Sequence, residues 1–92
     1  MQITIQQADM SFTREEGYVG HVEFSVEGHP APYEITLQKS RKGKEWNYAL
    51  NYSKESGPEE NIMDVEEEIE ENDELFDLLV KTALDKLEQA ED

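Results

Sequence analysis

The sequence predicts an α+β domain in two layers, a four-stranded antiparallel meander followed by two C-terminal helices packed on one sheet face. Two observations support this fold class. Four segments within the first 52 residues alternate between apolar and polar side chains, the pattern of strands buried on one face. After Pro58, apolar residues recur every three or four positions, which is the period of a helix. We therefore expect a single domain with the order ββββαα: residues 1–92 overall, with a sheet at 1–52, a connection at 53–58 and acidic helices at 59–90.

The strand pattern begins at residues 2–8 and continues over 18–27, 33–38 and 45–52. Residues 9–17 are expected to form a connection. The apolar sheet face is predicted to carry Ile3, Ile5, Tyr18, Val22, Phe24, Val26, Tyr33, Ile35, Leu37, Trp46, Tyr48, Leu50 and Tyr52. The outer face is predicted to be polar and lightly charged, with Thr4, Gln6, His21, Glu23, Ser25, Glu34, Thr36, Gln38, Asn47 and Asn51. The sheet should therefore be covered on one face only.

The second helix is the organising element of the predicted fold. Its apolar side chains over residues 73–87 span an arc of about 240°, whereas a helix on a protein surface needs only about 100°. That arc comprises Leu75, Phe76, Leu78, Leu79, Val80, Ala83, Leu84 and Leu87. The first helix offers a narrow stripe of Ile62, Val65 and Ile69, with Met63 at its margin. Asn72 and Asp73 either separate two helices or kink a single one.

Charge is strongly polarised along this chain of net charge −15. Residues 1–54 hold six Lys/Arg and seven Asp/Glu, whereas residues 55–92 hold two and sixteen. Between Glu59 and Asp77, eleven of nineteen residues are acidic and none is Lys or Arg. The eight carboxylates of residues 66–77 would fall about every 2 Å along a helix, close to the one per about 1.7 Å of duplex DNA.

This charge density favours a small non-catalytic binding or adaptor protein whose acidic helices contact a basic protein partner. Mimicry of nucleic-acid charge is one form of that contact. The candidate partner-binding residues are Glu66, Glu67, Glu70, Glu71, Glu74 and Asp77. The competing interpretation is that these carboxylates only form a solvated helix surface. Direct nucleic-acid binding is not expected, because the acidic half would repel phosphates from the basic turn of Lys39, Arg41, Lys42 and Lys44.

Catalytic motifs are not found in the sequence. It contains no cysteine, no Gly-x-Ser-x-Gly elbow and no phosphate-binding glycine loop. EF-hand and Glu-x-x-His spacings are also absent, so we predict no enzyme, no cofactor and no metal site. The alternative is a small-ligand-binding domain or enzyme that uses the polar sheet face around His21. Salt would separate the two functions, because contact with a basic partner weakens steeply as salt rises.

The sequence also predicts the cellular compartment and the oligomeric state. The lack of cysteine favours a reducing compartment, and the N-terminus lacks the basic and apolar regions of a signal peptide. No apolar run approaches the roughly 20 residues that span a bilayer, so we expect a cytoplasmic protein. We expect a monomer at low salt. A weak dimer through the second helix is the alternative if part of its broad apolar arc stays uncovered.

Overall fold

Four antiparallel strands and two helices form the predicted α+β arrangement. The computed structural model describes the backbone of residues 1–90 and the side chains of residues 1–87. Its elements are β1 (Ile3–Thr13), β2 (Gly17–Val26), β3 (Tyr33–Lys39), β4 (Asn47–Tyr52), α1 (Glu59–Glu71) and α2 (Asp73–Ala90). The strands lie in the order β1-β2-β3-β4, so each is hydrogen-bonded to its neighbour in sequence. Neither helix, within residues 1–90, has the length and apolar character required to cross a bilayer.

The core lies between the central strands and the two helices. α2 packs against β1 and β2, and α1 packs against β4 and α2. The apolar side chains without any exposed surface come from both layers: Val22, Phe24, Tyr33, Ile35, Leu37, Val65, Leu79 and Ala83. Burying a large apolar side chain stabilises a fold by about 1.5–3 kcal/mol. This set confirms that the helices cover the apolar sheet face.

The first strand is longer than predicted, because residues 9–13 continue it instead of forming a connection. A β-bulge explains the error. Ile5 pairs with Phe24, and the next pair joins Gln7 to Glu23. The pairing therefore advances by two residues along β1 but by only one along β2. Gln6 therefore has no partner of its own, and the apolar–polar alternation changes phase at this point. In the sequence, this change of phase resembled the end of a strand.

The bulge decides which side chains of β1 face the helices. Odd-numbered residues face them before the bulge and even-numbered residues after it: Ile3, Ile5, Ala8, Met10 and Phe12. Met10 is buried, whereas Phe12 is 41% exposed and packs its ring 4.8 Å from that of Tyr18. On the outer face, Gln7 and Asp9 take positions that simple alternation would have given to Gln6 and Ala8.

β4 begins at Asn47, two residues later than the predicted pattern. Trp46 lies just before it, half-buried, with its ring 5.9 Å from that of Tyr18. The Lys39 ammonium lies 4.9 Å from the centre of the Tyr18 ring and 5.5 Å from that of Trp46. These distances allow cation–π attraction, so this lysine of the basic turn has a structural role.

Asn72 separates two helices, which excludes a single kinked helix. Its backbone is extended, with φ −116° and ψ 93°, and its N–H donates to the carbonyl oxygen of Glu68 at 2.8 Å. The Asn72 side-chain oxygen accepts a hydrogen bond from the N–H of Leu75 at 3.3 Å. An asparagine in this position satisfies one of the free donors at a helix N-terminus. Asn72 thus ends α1 and caps α2.

Two apolar residues of the helices are exposed. Leu78 belongs to the broad apolar arc of α2 and is 48% exposed, so part of that arc stays uncovered. It occupies one edge of that arc, 100° away from the fully buried Leu79, and so faces away from the sheet. Met63 was placed at the margin of the buried stripe of α1 and is 58% exposed.

Candidate protein-binding surface

All six carboxylates predicted to bind a partner are exposed. Four of them lie on α1 and two on α2: Glu66, Glu67, Glu70 and Glu71, followed by Glu74 and Asp77. The break at Asn72 divides these carboxylates between two helices. The spacing of about 2 Å, which assumed an uninterrupted helix over residues 66–77, therefore does not describe these charges.

The four α1 carboxylates face solvent because the apolar residues on the opposite side of the helix are buried against the rest of the protein. Val65 and Ile69 are buried at 0% and 3% exposure, which fixes the rotation of α1 about its axis. At 100° per residue, the four glutamates then cover an arc of about 140° on the solvent side. The first turn of α1 also contains Glu59 and Glu60, where negative charge interacts favourably with the helix dipole.

Met63 lies within this acidic surface. It is the most exposed of the large apolar side chains in residues 1–87. On a helix surface, Met63 is next to the residues three and four positions before it and to those three, four and seven positions after it. All five are glutamates: Glu59, Glu60, Glu66, Glu67 and Glu70. The sequence contains this pattern, but Met63 was predicted to lie at the margin of the apolar stripe.

Tyr48 joins the sheet to the acidic surface. Its hydroxyl donates to Oε1 of Glu70 at 2.7 Å, and its ring lies 5.7 Å from that of Phe76. Burial is the main cause that raises the pKa of Tyr48 to about 12, followed by the hydrogen bond to Glu70 and the negative charges of Glu70 and Glu66. The sequence pattern placed Tyr48 on the apolar sheet face and did not predict its contact with Glu70, because that contact depends on how α1 packs over β4.

An open depression of about 520 Å³ lies at this place, and all its charged side chains are acidic. It is lined by Tyr48, Glu60, Met63, Asp64, Glu66, Glu67 and Glu70. The depression therefore combines an apolar side chain, an aromatic ring and five carboxylates. Such a surface can accept cationic side chains together with a small apolar group.

The raised pKa of Tyr48 predicts a loss of stability at high pH. The folded protein retains the phenol proton more strongly than the unfolded chain, whose tyrosine titrates near pH 10. The stabilisation that the Tyr48 hydroxyl contributes is therefore fully present below about pH 10, and it is lost as the pH rises towards 12. Urea unfolding at several pH values should show a smaller loss over this range in Tyr48→Phe than in the unchanged protein. Equal losses in the two proteins would contradict this linkage.

The polar sheet face around His21 forms a second candidate site. Nδ1 of His21 lies 3.2 Å from Oδ1 of Asp9, and the two residues face each other across β1 and β2. Glu23 and Glu34 are also directly opposite each other, on β2 and β3. These four side chains and Gln7 line an open depression of about 230 Å³. Asp9 was missed as a site residue because the bulge moved it to the outer face.

The chemistry of this sheet face is limited by its exposure. The side chains of His21 and Asp9 are 41% and 66% exposed, so water competes for their hydrogen bonds. In residues 1–87, no three His, Asp or Glu side chains converge in an arrangement that would hold a metal ion.

His29 contributes to the packing of a turn. Its Nδ1 lies 2.7 Å from the hydroxyl oxygen of Tyr33, whose ring is fully buried and stacks 5.0 Å from that of Tyr52. Burial raises the pKa of Tyr33, with further contributions from Tyr52 and Asp64. These contacts attach the proline-rich turn between β2 and β3 to the core.

A scan against protein-family models found no match, and searches of curated proteins and of solved structures found no similar protein. The function is therefore inferred from the two surfaces described above.

Proposed function

We propose that this protein is a non-catalytic binding protein whose acidic helices contact a basic protein partner. The observation that carries this proposal is the exposure of all six candidate carboxylates on α1 and α2. Among the side chains of residues 1–87, the only ion-pair contact joins His21 to Asp9, so no lysine or arginine neutralises these carboxylates by contact. Their charges are available to cations of a partner.

The charge density favours a basic protein partner in general over strict mimicry of DNA. α1 presents seven exposed carboxylates, Glu59, Glu60, Asp64, Glu66, Glu67, Glu70 and Glu71. Its thirteen residues extend about 20 Å, which gives one charge per roughly 3 Å. Duplex DNA carries one per about 1.7 Å. The surface therefore attracts lysine and arginine strongly without reproducing the charge spacing of a duplex.

Charge reversal tests this proposal. Replacing Glu67, Glu70 and Glu71 with lysine should weaken binding to a lysine-rich peptide by about tenfold or more, since each lost contact also becomes a repulsion. The matched control replaces Glu15, Glu16 and Glu27, three exposed carboxylates of the sheet half, and so changes net charge equally. Fluorescence anisotropy of the labelled peptide at two salt concentrations provides the measurement. Equal weakening in the two variants would mean that only net charge matters, as expected for a solvated helix surface.

A small-ligand site on the sheet face remains the second candidate function. The contact between His21 and Asp9 in an open depression is the observation that favours it. Nuclear magnetic resonance separates the two candidates, because a ligand bound there shifts amide signals of β1 to β3. A basic peptide bound to the acidic helices shifts those of α1.

A monomeric state and a cytoplasmic location are part of the proposal. Leu78 is the one large apolar side chain of α2 that is exposed within residues 73–87. A single exposed leucine is common on monomeric proteins. Repulsion between two acidic helix layers also opposes a dimer at low salt. Sedimentation at low and high salt would show whether screening allows association.

A further inference from the structure

We infer that the basic partner binds α1 through a segment in which one apolar side chain contacts Met63 and is flanked by lysine or arginine. This inference rests on the proposed function and specifies the chemistry of the partner at the same surface. It is based on the position of Met63 within the depression beside β4. The carboxylates around it determine which segments can reach it.

Met63 projects from the solvent side of α1. Val65 and Ile69 define the buried side, and Met63 is about 160° from Val65 around the helix axis. Its side chain is 58% exposed and lines the depression, which has the partly buried Tyr48 on the β4 side. Methionine is unbranched and polarisable, so it adapts to apolar groups of different shape. It can therefore serve as an apolar contact point for a partner.

The glutamates around Met63 select the partner by charge. An apolar side chain that reaches Met63 brings its own backbone and neighbouring residues over Glu60, Glu66 and Glu67. Removing these carboxylates from water without a cation is costly, so a neutral or acidic segment is rejected. Lysine or arginine next to the apolar side chain compensates that cost. A surface of anionic lipids would be repelled.

The hydrogen bond of Tyr48 orients one carboxylate of this surface. Glu70 is held by the Tyr48 hydroxyl at 2.7 Å, so its carboxylate is oriented before a partner arrives. A preorganised side chain loses less conformational entropy on binding than a freely rotating one. The complementary pattern on a helical partner is one apolar residue with cations three and four positions away on either side. This mirrors the surroundings of Met63.

Two synthetic peptides test the inference. The first is a lysine-rich helical peptide with a single central leucine and lysine three and four positions away on both sides. The second has glutamine in place of that leucine. We expect the unchanged protein to bind the leucine peptide about fivefold more tightly, measured by fluorescence anisotropy at physiological salt. Met63→Gln should bind both peptides with the affinity that the unchanged protein has for the glutamine peptide.

Further variants identify the residue responsible. Met63→Leu keeps an apolar side chain and should keep the preference for the leucine peptide. Leu78→Gln removes the exposed leucine of α2 and should also keep it. A preference that survives in Met63→Gln would overturn the inference, because the apolar contact would then lie elsewhere. A preference lost in Leu78→Gln but not in Met63→Gln would overturn it as well.

The experiment also separates this inference from the proposed function. If the unchanged protein binds both peptides equally and charge reversal on α1 abolishes that binding, the Met63 contact is wrong and the acidic surface stands. If neither peptide binds even at low salt, both are wrong. Circular dichroism of each variant checks that the fold is retained.

Discussion

Replacing Leu79 with alanine should destabilise the protein by about 2–5 kcal/mol, whereas the same change at the adjacent Leu78 should cost less than about 1 kcal/mol. Leu79 has no exposed surface and lies between the sheet and the rest of α2, so truncation leaves a cavity in the core. Leu78 is 48% exposed and leaves none. The two substitutions are equal in helix propensity and differ only in burial.

Urea unfolding followed by circular dichroism would measure both free energies. If the m value, the slope of unfolding free energy against urea concentration, is the same in all proteins, the variants unfold from the same state. Similar losses of stability at Leu79 and Leu78 would contradict an orientation of α2 in which Leu79 faces the core and Leu78 faces solvent. A loss below about 1 kcal/mol at Leu79 would show that this helix does not organise the core.

Replacing Gly17 with alanine should cost about 2–5 kcal/mol through two separate effects. Gly17 has φ +77°, a conformation that costs an L-residue about 1–2 kcal/mol. A Cβ atom at this position would also collide with backbone at the end of β3 and in the connection after it. It would meet the carbonyl oxygen of Lys39 and, at 2.6 Å, the nitrogen of Arg41. Forcing atoms into occupied space adds about 1–3 kcal/mol.

Gly28 provides the matched control for Gly17. It has φ +87°, and a Cβ built there meets no atom within 4 Å. Gly28→Ala should therefore show only the conformational cost of about 1–2 kcal/mol. Thermal and urea unfolding of both variants would give the difference, which measures the collision alone. Equal losses would mean that the connection near Lys39 moves away without cost.

The parts of the fold that were predictable from sequence are those whose pattern is uninterrupted. From His21 in β2 and throughout β3, apolar and polar side chains alternate without a break, and the structure buries Val22, Phe24, Ile35 and Leu37 as expected. The extent of β1 was not predictable by alternation, because the bulge at Gln6 inverts the pattern within the strand. The break between the helices depended on a hydrogen bond of the Asn72 side chain, which composition suggested but did not decide.

The candidate surface was only partly predictable for a similar reason. Exposure of Glu66, Glu67 and Glu70 follows from helical periodicity once Val65 and Ile69 are buried. The contribution of Tyr48 is tertiary, since it requires β4 and α1 to be neighbours. Met63 could have been recognised from its five glutamate neighbours in the helical repeat. Its hydrophobic side chain favoured the apolar stripe instead.

The separation of sheet and helices into two layers also affects how the molecule would turn as it approaches another. Residues 55–87 hold thirteen carboxylates and two lysines, whereas residues 1–54 are close to neutral. Because the helices occupy one side of the sheet, the centre of negative charge is displaced from the centre of mass. A positively charged body would exert a torque on this dipole and rotate the helices towards itself during diffusion. Productive orientation would then precede contact, while the sheet face would point outward into solvent.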